Sequence, residues 1–460
     1  MINSKGCLAL LMFCAVLSWS QEQAPTNTPA VEPENTQEVT TDTVRMATPP
    51  PVSNADYPTQ TLSQERSDYL LLGLTFQAAY TDNLLEGIGT KPVSDIGYSV
   101  WPSIALQETT SRMQTLLSYS PGFTEYQYTS SRNEVDQNVS ASFQYRLSPH
   151  VTLSLRDTLH KTSDVFSAPD VVSVLPVSGS ALPPTLAVIA PVADQLSNTA
   201  GAELTYQFGR DSMVGASGNF NNLYFANSGQ ISGLYNSTTQ GGSGFYSHRL
   251  ARRHYVGATY QYQNVQASPL GSETGVLGFD TTTQTQAMLG FYTVYLKPTL
   301  SFSLSGGPQH YDISGAGLPS SQAWKPAATA SLGWQAHHTN FAASYARIIS
   351  GGGGLFGAYQ SNSANGSIRQ VLTPSWNVGV DAFYSIYKEV DPNLASLYPG
   401  GHTVGGSASL QRRFGTRWNA QAGYTRLHQT YANIAAVSTF PNVNREWISI
   451  SYQFAKPIGR

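Results

Sequence analysis

Between residues 134 and 146, Asp136, Asn138, Ser140, Ser142, Gln144 and Arg146 recur at every second position, opposite Val135, Val139, Ala141, Phe143 and Tyr145. Successive side chains of an extended chain point to opposite faces, so this spacing gathers carboxylate, amide, hydroxyl and guanidinium groups on one surface and apolar groups on the other. The next segment repeats the plan, with Ser154, Arg156 and His160 against Val151, Leu153, Leu155 and Leu159, and Asp381 shares a face with Asn377 and Gly379. The chemistry such a wall offers is hydration and repeated weak hydrogen bonding to a polar solute, not bond making. Asp157 falls on the apolar parity. A carboxylate facing hydrocarbon is costly, so it implies a bulge, a place near a water interface, or a shifted register.

Groups that could make or break bonds do not converge. His337 and His338 are adjacent in a predicted turn, where extended geometry points their side chains apart, and they lack the carboxylate or cysteine companions of a zinc site. The run Gly351–Gly354 is not followed by Lys-Ser/Thr and a helix, so it is no phosphate loop and reads as a flexible rim. No catalytic, cofactor-binding or metal-ligating residue is assigned. The two cysteines, Cys7 and Cys14, both precede Gln21, which removes thiol chemistry and disulfide stapling from the rest of the chain.

The elements that must carry the polar wall are strands. "TLSFSLSG" sets Leu300, Phe302 and Leu304 opposite serines, and "YVGATYQYQ" sets Val256, Ala258, Tyr260 and Tyr262 opposite Gly257, Thr259, Gln261 and Gln263. "WISISYQF" does the same with Ile448, Ile450, Tyr452 and Phe454. No segment of comparable length keeps helical spacing. Short connections, such as "LSPH" (147–150), "FGRDS" (208–212), "LTPS" (372–375) and "FGTR" (414–417), take turns with longer ones at 165–195, 227–237, 268–280, 313–322, 390–401 and 433–443. Tight turns on one side and long loops on the other are the pattern of outer-membrane barrels. Counting from Leu70 to Phe454 gives about 16 to 18 strands, so the expected fold is an all-β transmembrane antiparallel barrel with both termini periplasmic, closed by "WISISYQF" against the first strand.

Composition agrees with a wall that is apolar on one side and wet on the other. Charged residues make up 12% of the chain, against about 25% in soluble proteins, while Gly (40) and Tyr (26) are abundant. A net charge of −3 gives no support to a nucleic-acid partner. Residues 1–20, with Lys5, an apolar run and small residues at 18 and 20, read as a signal peptide. Residues 21–66, rich in Pro, Thr and Glu, read as a disordered periplasmic linker. The barrel occupies 67–460.

With these features in place, the chain resembles bacterial porin-like outer-membrane β-barrel proteins. The stretch 119–166 also resembles a largely uncharacterised barrel group of environmental Gram-negative bacteria. The resemblance implies outer-membrane localisation and contact with lipid and lipopolysaccharide. It further implies insertion by the barrel-assembly machinery, a homo-oligomer as an option, and no cofactor. It also suggests that the third outer loop (167–195, with Asp170, Leu182 and Asp194) folds inward as a constriction; the alternative is an outward flap, or an apolar patch awaiting lipopolysaccharide or a partner. At 16 to 18 strands the interior is wide enough for water. No energy-coupling plug domain is visible and the inner faces read as neutral and polar, so the expected function is passive diffusion of small solutes. Two alternatives stay open: a non-conducting scaffold or secretion-associated barrel for extracellular polysaccharide, and an outer-membrane hydrolase.

Overall fold

In the computed structural model of the protein the described residues are 67–84, 91–162, 194–226, 233–269, 280–315, 318–351, 353–391, 400–432 and 438–458, with Met46, Pro49, Ala395 and Ile434. Eighteen strands form one antiparallel sheet. The first six are β1 (Ser67–Thr81), β2 (Asp95–Thr109), β3 (Met113–Tyr126), β4 (Glu134–Arg146), β5 (Val151–Thr162) and β6 (Gln195–Gln207). Then come β7 (Ser212–Phe225), β8 (Tyr235–Ala251), β9 (His254–Pro269), β10 (Thr281–Lys297), β11 (Leu300–Gly315) and β12 (Leu318–Gln335). The last are β13 (Thr339–Gly351), β14 (Ala358–Thr373), β15 (Trp376–Glu389), β16 (Gly401–Phe414), β17 (Trp418–Tyr431) and β18 (Asn442–Pro457). Each pairs with its sequence neighbours, and β1 pairs with β18 from Tyr69↔Pro457 to Thr81↔Arg445, so the sheet is a closed barrel.

One rim of the barrel carries the short turns. Ser148 Oγ accepts from the backbone N–H of His150 and Val151, and Thr373 Oγ1 accepts from Ser375 and Trp376, so hydroxyl side chains close the "LSPH" and "LTPS" turns. In "FGRDS" and "FGTR" the left-handed position falls on Gly209 (φ 83°) and Gly415 (φ 65°), where the missing Cβ removes the steric cost. The opposite rim carries the longer connections, with one exception. The expected long loop at 313–322 is paired strand: Asp312↔Gln322 and Ile313↔Ser321 lie in register, and β11 and β12 are separated only by residues 316–317.

Side chains alternate as the sequence requires. Leu304, Tyr260, Val380, Leu410, Ile448 and Ile450 are exposed on the outside, whereas Ser303, Thr259, Gln411, Ser449 and Ser451 are buried on the inside. Hydroxyls on the inner wall pair across strands, as in Ser118–Ser140 (2.7 Å), Ser217–Ser243 (2.7 Å), Thr293–Ser303 (2.6 Å) and Ser305–Thr329 (2.6 Å). The large inward aromatics lie flat over glycines of the next strand: an added Cβ would stand 2.4 Å from Trp101 at Gly122, 2.3 Å from Phe245 at Gly215 and 2.5 Å from Trp447 at Gly423. Glycine here makes room for a ring against the wall, which keeps ring volume out of the interior.

The apolar outer face is a band that begins at the short-turn rim and ends at a polar belt. On β10 the outward residues Leu296, Val294, Tyr292, Gly290 and Met288 give way to Gln286, Gln284 and Thr282; on β9 Tyr262 gives way to Asn264 and Gln266. Asp157 belongs to this belt. The β4–β5 register runs without a shift, so no bulge turns it, and it faces outward and accepts a hydrogen bond from Asn198 Nδ2 at 2.9 Å. Asn198 pairs in register with Asn222. Near the short-turn rim, Arg412 stacks on Trp376 and Phe414, and Arg417 lies over Phe454, followed by Lys456 paired with Leu70.

Gly122→Val, which drives two methyls toward Trp101, is expected to lower stability by about 1–3 kcal/mol by overpacking. Gly290→Val, where a Cβ meets nothing within 4 Å, should leave it almost unchanged. Chemical unfolding of the refolded barrel followed by tryptophan fluorescence checks the contrast.

Candidate functional site

The interior is the place where the sequence-selected polar residues come together, and it is filled unevenly. Strands β12 and β13 pair only between Ala328↔Arg347 and Gln335↔Asn340, while β13 and β14 stay paired as far as Gly351↔Ala358. The end of the β13–β14 hairpin thus leaves the wall, and its contacts show that it turns inward. Gln309, on the inner face of β11, takes the place of a neighbouring strand: its Nε2 donates to the Ile349 carbonyl (2.9 Å) and its Oε1 accepts from the Ile349 N–H (2.8 Å). Ile349 packs with Tyr311, Ile313, Ala358 and Val390, and Ile348 packs against Ala287, Leu289 and Ala327. Farther on, Gly353 N–H donates to Ser237 Oγ (3.3 Å) and Gly354 O accepts from Tyr235 N–H (3.1 Å), both on β8. Phe356 meets the Tyr235 ring at 5.3 Å.

The hairpin therefore spans the inner faces of β8 to β12. Two of the glycines in the run expected to form a flexible rim, Gly353 (φ 68°) and Gly354 (φ 91°), turn its tip and are buried against β8. Both adopt the left-handed conformation that a side chain would resist. From the other side Tyr311 Oη donates to the Val390 carbonyl (3.2 Å), and Val390 N–H donates to the Ala358 carbonyl (3.2 Å). Glu389 Oε1 accepts from the N–H groups of Val390 (2.9 Å) and Asp391 (3.1 Å), beside Gly357. The signal in the sequence was apolarity on both parities: Ala287, Leu289 and Phe291 face inward while Met288 and Tyr292 face outward.

Two oppositely charged pairs stand outside the covered wall, on β5–β6 and on β14–β15. Arg156 is exposed and lies within electrostatic reach of Glu203. Arg369 stands in the same relation to Asp381, whose Oδ2 accepts from Ser407 Oγ at 3.4 Å. Both signs are present along the inner wall, with Arg413 and Arg445 also on inward parity, so the inner face is not the neutral surface the sequence suggested. Only the Arg156 half of the first pair and the Asp381 half of the second stood out in the sequence. Glu203 and Arg369 were missed because each pairing depends on strand register, which spacing within one strand does not reveal.

Of the other candidate lining residues, Asn138 Oδ1 lies 2.8 Å from His160 Nδ1, Ser140 pairs with Ser118, and Gln144 and Arg146 stand near the short-turn rim. Asp136 is on the inward parity but fully covered, at 0% exposure. Asp170 and Leu182 lie outside the described residues; Asp194 is half-buried, and its carbonyl accepts from Ala226 N–H at 2.9 Å. His337 and His338 do not point apart: their rings meet edge to face at 4.4 Å in the turn. Among the described residues no three His, Cys, Asp or Glu side chains are placed to hold a metal ion.

A closed 18-stranded antiparallel barrel, apolar outside and polar within, is now on view. The architecture is the expected all-β antiparallel barrel. No protein-family model and no curated protein matches the chain. Among solved structures, it is similar to the FrpB iron transporter of Neisseria meningitidis (F3-3 variant), at TM-score 0.41 and 11% identity over 85% of this chain and 67% of that one. It is also similar to Acinetobacter baumannii OccAB2, at TM-score 0.40 and 11% identity over 84% and 98% of the two chains. Pseudomonas aeruginosa OpdK, solved with vanillate, gives TM-score 0.39 and 10% identity over 84% and 99%. At such identities and TM-scores these likenesses say nothing about solute.

Replacing Gln309 by Leu removes both bonds to Ile349. With about 1 kcal/mol for each net hydrogen bond, hydrogen exchange at the Ile349 amide should accelerate by about 10- to 30-fold. Exchange elsewhere on β11 should be unchanged.

Proposed function

We propose that the protein is an outer-membrane channel for passive diffusion of small polar solutes, with its aperture set by the inward β13–β14 hairpin. The observation that carries this reading is the asymmetry of the interior. Apolar inward residues of β8 to β12 are covered by the hairpin, while among the described residues polar and charged side chains elsewhere on the ring, including the pairs on β5–β6 and β14–β15, remain partly exposed. A barrel of this strand number has room for water where it is not filled by its own chain. Selectivity would then come from the space left beside the hairpin, flanked by Arg156 and Glu203 on β5 and β6 and, across the lumen, by Arg369 and Asp381 on β14 and β15.

The outer face supports placement in a membrane. The outward band covers the first nine or ten residues from the short-turn rim on β9 and β10, the length needed to cross hydrocarbon with tilted strands. Aromatics capped by arginine lie at that rim, as at a headgroup boundary. A shallow outer groove floored by Ala78, Ala408 and Ala422 between Tyr80, Tyr424 and Ile448 suits a lipid acyl chain. On this reading the short-turn rim, where β1 begins and β18 ends, is periplasmic. Among the described residues the narrowing segment on this reading is 353–359; residues 167–193 lie outside them.

Replacing 353–357 by a two-residue Asn-Gly turn should raise single-channel conductance in planar bilayers at least about twofold. Silence of both forms, with the barrel folded, would favour the non-conducting scaffold. Arg369→Gln should shift ion selectivity toward cations, read as a change in reversal potential across a salt gradient. In refolding into lipid vesicles, Ala422→Arg, within the apolar band, should cost about 2–4 kcal/mol, and Gln284→Arg, in the polar belt, at most about 1 kcal/mol.

A further inference from the structure

The hairpin covers only the loop-side half of the apolar inner patch. A second patch lies on the same wall at the short-turn end, where Met213 on β7, Phe245 on β8, Tyr255 on β9 and Tyr295 on β10 all face inward. Such a shelf, open to water at the mouth of a polar lumen, would be out of keeping with the Ser and Thr lining around it. It is covered by the protein's own chain. Met46, well ahead of the first residue of β1 in the sequence, is 4% exposed and shares one packed cluster with Met213, Phe245 and Tyr255, against which Tyr295 lies; Pro49 is buried as well.

The seat is specific in its polar contact too. Met46 N–H donates to Gln207 Oε1 at 3.2 Å. The Gln207 amide is held in place from the other side: its Nε2 donates to the carbonyls of Gly209 (3.3 Å) and Arg210 (3.5 Å) in the short turn after β6. That turn is braced by the Arg249–Asp211 ion pair (2.6 Å) and by Arg249 Nη2 donating to the Arg210 carbonyl (2.9 Å). Turn, clamp and shelf thus form one built receptor on β6 to β10. Its occupant is a flexible thioether side chain, which adapts to an aromatic surface and makes favourable sulfur–aromatic contacts. Tyr255 and Tyr295, edge to face at 5.4 Å, supply that surface.

We propose that this receptor is an autoinhibitory seat. Met46 docks in it from the short-turn mouth and narrows the lumen there, in series with the hairpin, and release of Met46 opens the mouth without any change in the barrel wall. The opening role rests on the channel reading above; the seating does not. The partner chemistry that would displace Met46 is a peptide competing for the shelf with an unbranched apolar side chain, or one drawing the chain before Met46 away from the barrel.

The test uses the full chain in a Cys7→Ser, Cys14→Ser background. Met46→Cys combined with Met213→Cys should be joined by a short bis-maleimide in the folded barrel, whereas Met46→Cys with Ser409→Cys, on the opposite wall, should not. Met46→Asp, which places a carboxylate on the shelf, should reduce the fraction of time spent in the low-conductance state at least about tenfold; Met46→Leu should preserve it. Joining positions 46 and 213 should lock the low-conductance state. Failure of the 46–213 pair to join in folded protein would overturn the seating. Joining with the conductance of Met46→Asp equal to that of the parent would overturn the inhibitory role. Joining with silence in every form, including the hairpin-shortened one, would remove the channel reading and the gate with it.

Discussion

Backbone pairing between Tyr69–Thr81 and Arg445–Pro457 is the constraint from which the remaining features follow. A sheet of this size with a free edge would present a row of unpaired N–H and C=O groups, each costing several kcal/mol in hydrocarbon. Closing β18 on β1 removes the edge and fixes which parity of every strand faces in. Once that is set, a shift of one residue anywhere would turn a whole row of apolar side chains inward. The exposed Ile448 and Ile450 and the buried Ser449 and Ser451 show the closing strand obeying the same rule as its neighbours.

Closure also creates the problem that the interior solves. A wide barrel needs material inside it or it becomes an open tube, and here the chain supplies its own filling on one wall. Gln309 serves as the edge partner of a strand that has left the sheet, Tyr311 anchors the segment after β15, and Gln207 holds the chain ahead of β1. All three are wall residues whose side chains take up backbone groups that the sheet does not satisfy. Among the described residues, Arg156 and Glu203 on β5–β6 and Arg369 and Asp381 on β14–β15, on either side of that wall, keep part of their surface exposed. The interior is thus unevenly filled, with its apolar cover on β8 to β12 and a charged pair on either side.

Much of this was legible in the sequence because period-two alternation is local. The parity of Asn138, Ser140, Arg156 and Asp381, the place of the short turns and the closing role of "WISISYQF" all follow from spacing alone. The segment "DISGAGLPSSQ" misled, because its Gly, Pro and Ser content imitates a loop. Residues 312–315 and 318–322 are strand because the outer ends of β11 and β12 stand above the apolar band, where outward residues such as Asp312 and Gln322 have no need to be apolar. Asp157 misled for the same reason: alternation marks the band, and the belt above it obeys a different rule. The hairpin and the Met46 seat were not legible, since both depend on contacts between distant strands. Their trace, apolar residues on the inward parity of β7 to β12, acquires meaning only when something is known to cover them.

Among the described residues the β8–β12 wall of the interior is covered and the β16 wall is not, and thiol reactivity measures the difference directly. Ala287→Cys and Ser407→Cys are both small-for-small changes on inward faces, on β10 and β16, in a Cys7→Ser, Cys14→Ser background. Exposed to a water-soluble maleimide in folded protein, the thiol at 407 should react at least about tenfold faster than the thiol at 287, because access requires the hairpin to open first. Equal rates at the two positions would mean an interior without cover, and would contradict the account.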